Sequence, residues 1–161
     1  MGNVIELFKG EKQMTTIYEV AKYFLSLDDM THKKLQKLCY YAQAWFLALY
    51  DTPLVNNDFQ AWVHGPVCSE LYNEYKKYKY NYIPKTEYSE CTLNDEVIEH
   101  LNSVFSTYGD FSGDQLEILT HSEPPWIEAR NGLEEWQPSK KTIDNNIMKS
   151  YYWSIYEPEE S

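Results

Sequence analysis

Apolar residues recur along this chain at helical rather than strand spacing, and polar capping residues cut the pattern into separate helices. Thr16-Ile17-Tyr18-Glu19 has the form of a capping box, in which the threonine hydroxyl and the glutamate carboxylate each take a free amide at a helix start. A first helix is predicted from there to Leu27, with Asp28-Asp29-Met30 as the turn. Thr31 caps a second helix over about 32–50, whose Leu35, Leu38, Ala42, Trp45 and Leu49 fall on one face. Cys39, Tyr41, Phe46 and Ala48 widen that face to most of the circumference, the pattern of a helix buried at the centre of a domain. Asp51-Thr52-Pro53 ends it.

The period then changes. Leu54-Val55, the polar Asn56-Asn57-Asp58 and the run Phe59 to His64 predict a short hairpin over 54–64. Gly65-Pro66 breaks it, and Pro66 is suited to open a third helix, about 67–80, bearing Leu71, Tyr72, Tyr75 and Tyr78. A loop is expected over 81–93. Asn94 caps a fourth helix with Asp95 and Glu96 at its positive end, Val97, Ile98, Leu101, Val104 and Phe105 as its face, and Gly109 as its stop. Ser112-Gly113-Asp114-Gln115 is a second capping box and opens a short fifth helix through Leu116, Ile118 and Leu119. Pro124-Pro125 interrupts, Trp126–Arg130 forms one more turn, and Asn131-Gly132 signals a turn. A last helix, about 142–156, carries Ile143, Ile147, Tyr151 and Ile155. The expectation is a mainly α protein: a single compact domain of five to six helices with one short β-hairpin, preceded by an extension at 1–13, spanning 14–156 and followed by an acidic tail at 157–161.

Composition narrows the class. A chain of 161 residues with 43% apolar and 16% aromatic content can fill one core. No apolar run approaches the length of a membrane span, and the opening residues lack the apolar stretch of a signal peptide. Glu6 stands where a myristoylation signal requires Ser or Thr. Cys39, Cys68 and Cys91 are odd in number and widely spaced, which reads as reduced thiols in a cytoplasmic protein. The net charge of −11 is lopsided: residues 1–80 balance nine lysines against nine acids, whereas residues 81–161 hold five cations and sixteen acids. Such a field repels nucleic acid, favours basic partners and aids solubility. Fifteen tyrosines supply side chains with an apolar body and a polar tip, suited to a binding surface.

Motifs of catalysis are missing from the sequence. It has no C-x-x-C, H-E-x-x-H, phosphate-binding glycine loop or G-x-S-x-G. His64 and Cys68 are four apart, but Gly65-Pro66 separates them, so no metal ligand, cofactor or catalytic residue is assigned. An enzyme whose site assembles only in space stays open as an alternative. The segment Tyr72–Tyr82 interleaves tyrosines with lysines, as in single-strand binders, but equally describes an amphipathic helix with packed tyrosines and solvated lysines. The His64-Gly65-Pro66 corner is either a tight structural turn with Trp62 beneath it or a rigid feature offered to a partner.

The run Lys34 to Trp45 (Lys-Leu-Gln-Lys-Leu-Cys-Tyr-Tyr-Ala-Gln-Ala-Trp) resembles the signature helix of the Panacea domain family, which includes SocA-type antitoxins and phage-associated GepA-like proteins. Ala61-Trp62-Val63-His64-Gly65-Pro66-Val67, followed by Leu71-Tyr72, is similar to the second signature, and Leu116, Thr120-His121, Trp126 and Ala129-Arg130 resemble the C-terminal block. The resemblance implies an antitoxin-type protein that neutralises a cognate toxin by direct binding, with a protease-adaptor role or inhibition of a host defence protein as alternatives. It transfers no catalytic residue. Lys34, Leu35, Leu38, Tyr41, Ala42, Trp45, Trp62, Gly65, Pro66 and Trp126 are read as structural members of the motif. His64, Tyr72, Tyr75, Tyr78, Glu123 and Glu128 are the candidate partner contacts. Glu87, Glu90, Glu134 and Glu135 are further acidic candidates for a toxin that is basic.

Overall fold

The computed structural model describes residues 15–87 and 93–157. The predicted extension at 1–13, Cys91, Glu90 and most of the acidic tail lie outside them. The described residues form seven α-helices: α1 (Ile17–Leu27), α2 (His32–Tyr50), α3 (Ser69–Tyr75), α4 (Asp95–Tyr108), α5 (Gly113–His121), α6 (Pro124–Ala129) and α7 (Asn145–Ile155). A 3₁₀ turn, Lys76–Tyr78, continues α3. Four short strands, β1 (Met30–Thr31), β2 (Gln60–Trp62), β3 (Gly65–Val67) and β4 (Tyr82–Ile83), form two antiparallel pairs, β1 with β4 and β2 with β3.

The helix starts follow from their caps. Thr16, Thr31, Asn94 and Asp144 each accept a backbone amide of the first turn, and Ser112 makes the reciprocal capping box with Gln115. Helix α2 is the axis of the molecule. It packs along α7 and also touches α5, α4 and α1. Leu35, Leu38, Tyr41, Ala42, Ala44 and Phe46 are completely buried on it. Asp51, in the left-handed conformation at φ 55°, ends it.

Several local expectations change. The hairpin runs over 60–67, not 54–64, and turns at Val63-His64. Leu54 and Val55 are not a strand because the Gln43 side chain holds their backbone: its Oε1 accepts from both N–H groups and its Nε2 donates to Val55 O. Pro66 lies within β3 rather than at a helix start. Its missing N–H costs nothing opposite Ala61, whose own N–H points away and donates to Lys141 O at 2.8 Å. Helix α3 is correspondingly shorter than 67–80 and passes into the 3₁₀ turn. Pro124 and Pro125 open α6 instead of interrupting a helix, because the first helical positions need no N–H. The last helix begins at Asn145, and Ile143 lies outside it, donating its N–H to Phe59 O at 2.7 Å. Part of the expected loop over 81–93 is β4.

Candidate functional site

Polar side chains inside α2 do much of the work of tying the chain together. Gln36 and Gln43, two turns apart, each grip the backbone of a later segment. Gln36 Oε1 accepts from Cys68 N–H at 2.9 Å, and its amide nitrogen lies 3.3 Å from Cys68 O and 3.1 Å from His32 Nε2. Between the two glutamines, Lys37 is only 1% exposed, and its Nζ donates to Pro66 O at 3.2 Å. Burial, with a further push from nearby Lys33, brings its pKa down to about 7 against the pull of Glu117.

Gly65 is what lets Lys37 fit. Its φ of 107° is a conformation that side-chain-bearing residues avoid. A Cβ there would stand 2.6 Å from Lys37 Cε and 3.0 Å from Thr120 Oγ1. Thr120 is buried and donates to Glu117 O. Glu117 in turn receives Lys33 Nζ at 2.7 Å and lies 3.1 Å from His64 Nδ1. Burial works to raise the Glu117 pKa, but Lys33 and His64 outweigh it and hold the carboxyl low. The three family signatures therefore meet at one place: Lys37 from the first, Gly65 and Pro66 from the second, Thr120 from the third.

A second cluster lies across α2. Tyr41 and Tyr152 both donate to Glu123 Oε1, at 2.7 and 2.8 Å, and the Tyr40 and Tyr152 hydroxyls are 3.1 Å apart. Tyr41 stacks on Tyr108 with ring centroids 4.0 Å apart. The Tyr108 hydroxyl accepts from Trp45 Nε1 at 2.8 Å. Burial raises the Glu123 pKa despite the two phenol donors. The third signature also locks the hairpin. Trp126 Nε1 donates to Trp62 O at 2.8 Å, and Arg130 Nη1 donates to Ala61 O at 2.8 Å. The Arg130 guanidinium lies 4.7 Å over the Trp126 ring and also holds the carbonyls of Glu134 and Gln137.

These positions sort the sequence candidates. Leu35, Leu38, Tyr41, Ala42, Gly65, Pro66 and Trp126 are buried. Lys34 donates to Gly109 O at 2.5 Å, and Trp62 is half-buried against Tyr72. Trp45, expected in the core, is only partly buried at the edge of α7. Glu123, expected at the surface, is 5% exposed and bound to tyrosines. Tyr40, Tyr41, Tyr108 and Tyr152 likewise serve the core, so the tyrosine content is only partly a surface property. His64, Tyr72, Glu87, Glu128, Glu134 and Glu135 are exposed, while Tyr75 and Tyr78 are half-buried and pack on each other. Exposed acids gather on one segment, where Glu128, Glu134 and Glu135 alternate with Ile127, Leu133 and Trp136, which are 47%, 40% and 73% exposed. Arg130, the one cation within that segment, is turned inward.

For chemistry, burial raises the Cys39 thiol well above its ordinary range and takes Cys68 to about 12, so both are protonated thiols. Burial takes His32 and His100 to about 4, so both are neutral near pH 7. Among the described residues, no group of three or more His, Cys, Asp and Glu is placed to hold a metal ion.

The family model described as "Antitoxin SocA-like, Panacea domain" matches residues 35–127, more than half of the chain. The chain belongs to the SocA-like antitoxin family. It is 32% identical over 110 residues to a protein named Antitoxin SocA from Caulobacter vibrioides (strain NA1000 / CB15N), covering 61% of this chain and 58% of that protein. The chain thus spans less than two thirds of that relative's length. No solved structure matches. The matched stretch of the Panacea domain contains Lys37, Gly65, Pro66 and Thr120, so the meeting point of the three signatures lies within it. Gln36, Lys37 and Gln43 belong to no catalytic or ligand-binding motif in the sequence. Their signal was present: three polar residues inside a helix otherwise apolar nearly all round must be buried, and buried polar groups need partners.

Proposed function

We propose that this protein neutralises a cognate toxin by direct, stoichiometric binding, and that the exposed acidic and apolar segment 127–136 is the contact. The observation that carries this reading is the make-up of that segment, which starts at the last residue matched by the antitoxin-family model and runs on from it. Trp136, Leu133 and Ile127 stand out into solvent among Glu128, Glu134 and Glu135. Exposed aromatic and aliphatic side chains gain most from burial at an interface, and the surrounding carboxylates select a basic partner. Arg130 fixes the segment from beneath by gripping the carbonyls of Glu134, Glu135 and Gln137, so less order remains to be gained on binding.

The test is co-purification with the product of the adjacent gene, followed by titration of that product's toxic activity. Inhibition is expected to end at a fixed ratio of the two proteins and to be lost on Trp136→Ala combined with Glu134→Lys and Glu135→Lys. Full inhibition by strongly substoichiometric protein, with purified components and no protease, overturns direct binding. Full inhibition by the triple variant overturns the choice of surface.

A further inference from the structure

On the side of the hairpin where the lysines lie, the surface charge reverses. A cavity of about 440 Å³ opens between the start of α2, the hairpin and the 3₁₀ turn. Its walls are Trp62, Val67, Tyr72 and Tyr80, and its cations are Lys33, Lys37, Lys76 and Lys79, with no carboxylate on the lining. Lys33 is already engaged by Asp114 and Glu117. Among the described residues Lys37, Lys76 and Lys79 make no ion pair. Lys37 is the buried one, with one of its three donors given to Pro66 O. Tyr72 is fixed as a wall by His32 at 5.3 Å and by Trp62 at 5.0 Å between ring centroids. In a chain of net charge −11, the exposed and unpaired Lys76 and Lys79, with Lys37 behind them, are a local inversion of the field.

We propose that this cavity is a binding site for a short acidic segment of a partner protein, an Asp or Glu seated among Lys37, Lys76 and Lys79 with an adjacent apolar or aromatic side chain against Trp62 and Tyr72. The volume suits a few side chains. Charge complementarity demands an anion, and the aromatic walls demand an apolar neighbour to it. The surroundings favour a short anion over a long polyanion. The next cavity, which shares Lys33, Lys79 and Tyr80 with this one, sets Asp28, Asp29, Asp110 and Asp114 against Lys33, Lys34 and Lys79, and Lys33 is already paired with Asp114. A nucleic-acid strand leaving the first cavity would meet those carboxylates and the net negative field, whereas a short acidic peptide ends before them. The site is opposite in sign to segment 127–136 and independent of it, so either can fail without the other.

The experiment selects random short peptides displayed on phage against the full chain, after depletion on a variant carrying Lys76→Glu and Lys79→Glu. Both lysines are exposed, and Lys79 already sits at a positive φ of 52° with a side chain, so the exchange alters charge and leaves the fold intact. Circular dichroism identical to wild type checks this. Enriched peptides are expected to pair Asp or Glu with Phe, Tyr, Trp or Leu. By fluorescence anisotropy they should bind the double variant about tenfold more weakly or worse, and lose binding to wild type when Asp and Glu become Asn and Gln. Enrichment of neutral or basic peptides, or equal affinity for the variant, overturns the proposal. Binding of inorganic phosphate or ATP to wild type but not to the variant, with no acidic peptide enriched, identifies a small-anion site and overturns the peptide occupant.

Discussion

Gly65 and Lys37 occupy adjoining space, and each is constrained by the other. An alanine at Gly65 would carry two penalties: a φ of 107° and a Cβ 2.6 Å from Lys37 Cε. Gly132 offers the control, because its φ of 83° is also positive but nothing lies within 4 Å of a Cβ built there. Gly132→Ala should cost about 1 kcal/mol from backbone strain alone. Gly65→Ala should cost roughly 3 kcal/mol, at or above the upper end for a strained residue; urea unfolding of the two variants checks the difference. Lys37 itself gives a pH signature. Its folded pKa of about 7 lies below the ordinary 10.5, so across that interval the unfolded chain holds a proton that the folded chain has released. Stability from this group therefore rises as pH increases from 7 towards 10 and is lost as pH falls through 7. Lys37→Met removes the dependence. The stability of wild type relative to Lys37→Met should rise between pH 7 and 9, and a constant difference would show that Lys37 does not titrate in that window.

At the level of elements, five of the seven helices among the described residues follow from caps and spacing, because an N-cap and a 3.6-residue period are local properties of the chain. The other two are α3, whose expected start at Pro66 lies in β3, and α6, where the pattern predicts only a turn because two consecutive prolines read as breakers until their place at a helix start is known. What sequence spacing did not carry was pairing at long range. Residues 54–55 look like a strand by composition, yet their backbone partner is a glutamine eleven and twelve positions earlier. The candidate site was legible to the same degree. Gly65, Pro66 and Trp126 are buried, as residues of a packing motif would be, but the burial of Glu123 depends on two tyrosines from α2 and α7 that no local pattern connects. Gln43 turns this into a measurement. Gln43→Leu keeps the volume but leaves two buried amides and one carbonyl without partners. At about 1–3 kcal/mol for each orphaned group, partly relieved by water, a loss of roughly 3 kcal/mol is expected. Thermal denaturation tests it. Trp45→Ala is milder than for a buried tryptophan, roughly 2 kcal/mol, because the ring is only partly buried and loses one hydrogen bond to Tyr108.

For the whole molecule, the charge asymmetry of the sequence has a spatial counterpart. The acidic excess lies in residues 81–161, and three of its exposed carboxylates fall on the segment anchored by Arg130. If the proposed contact holds, attraction between that segment and a basic toxin would act before contact and enter the association rate, whereas apolar contacts of Ile127, Leu133 and Trp136 would act after contact and enter dissociation. The two parts can be separated with the purified toxin by stopped-flow mixing. Charge reversal at Glu134 and Glu135 should slow association by about an order of magnitude at low ionic strength and leave dissociation nearly unchanged. Raising the salt concentration should bring the wild-type rate down towards that of the variant, since the screening length shortens to about 3 Å at 1 M. Trp136→Ala should do the reverse, with an unaltered association rate and faster dissociation. An association rate indifferent to salt would remove the electrostatic role and leave an apolar contact centred on Trp136. A Trp136→Ala protein with unchanged dissociation would place the contact elsewhere on the molecule.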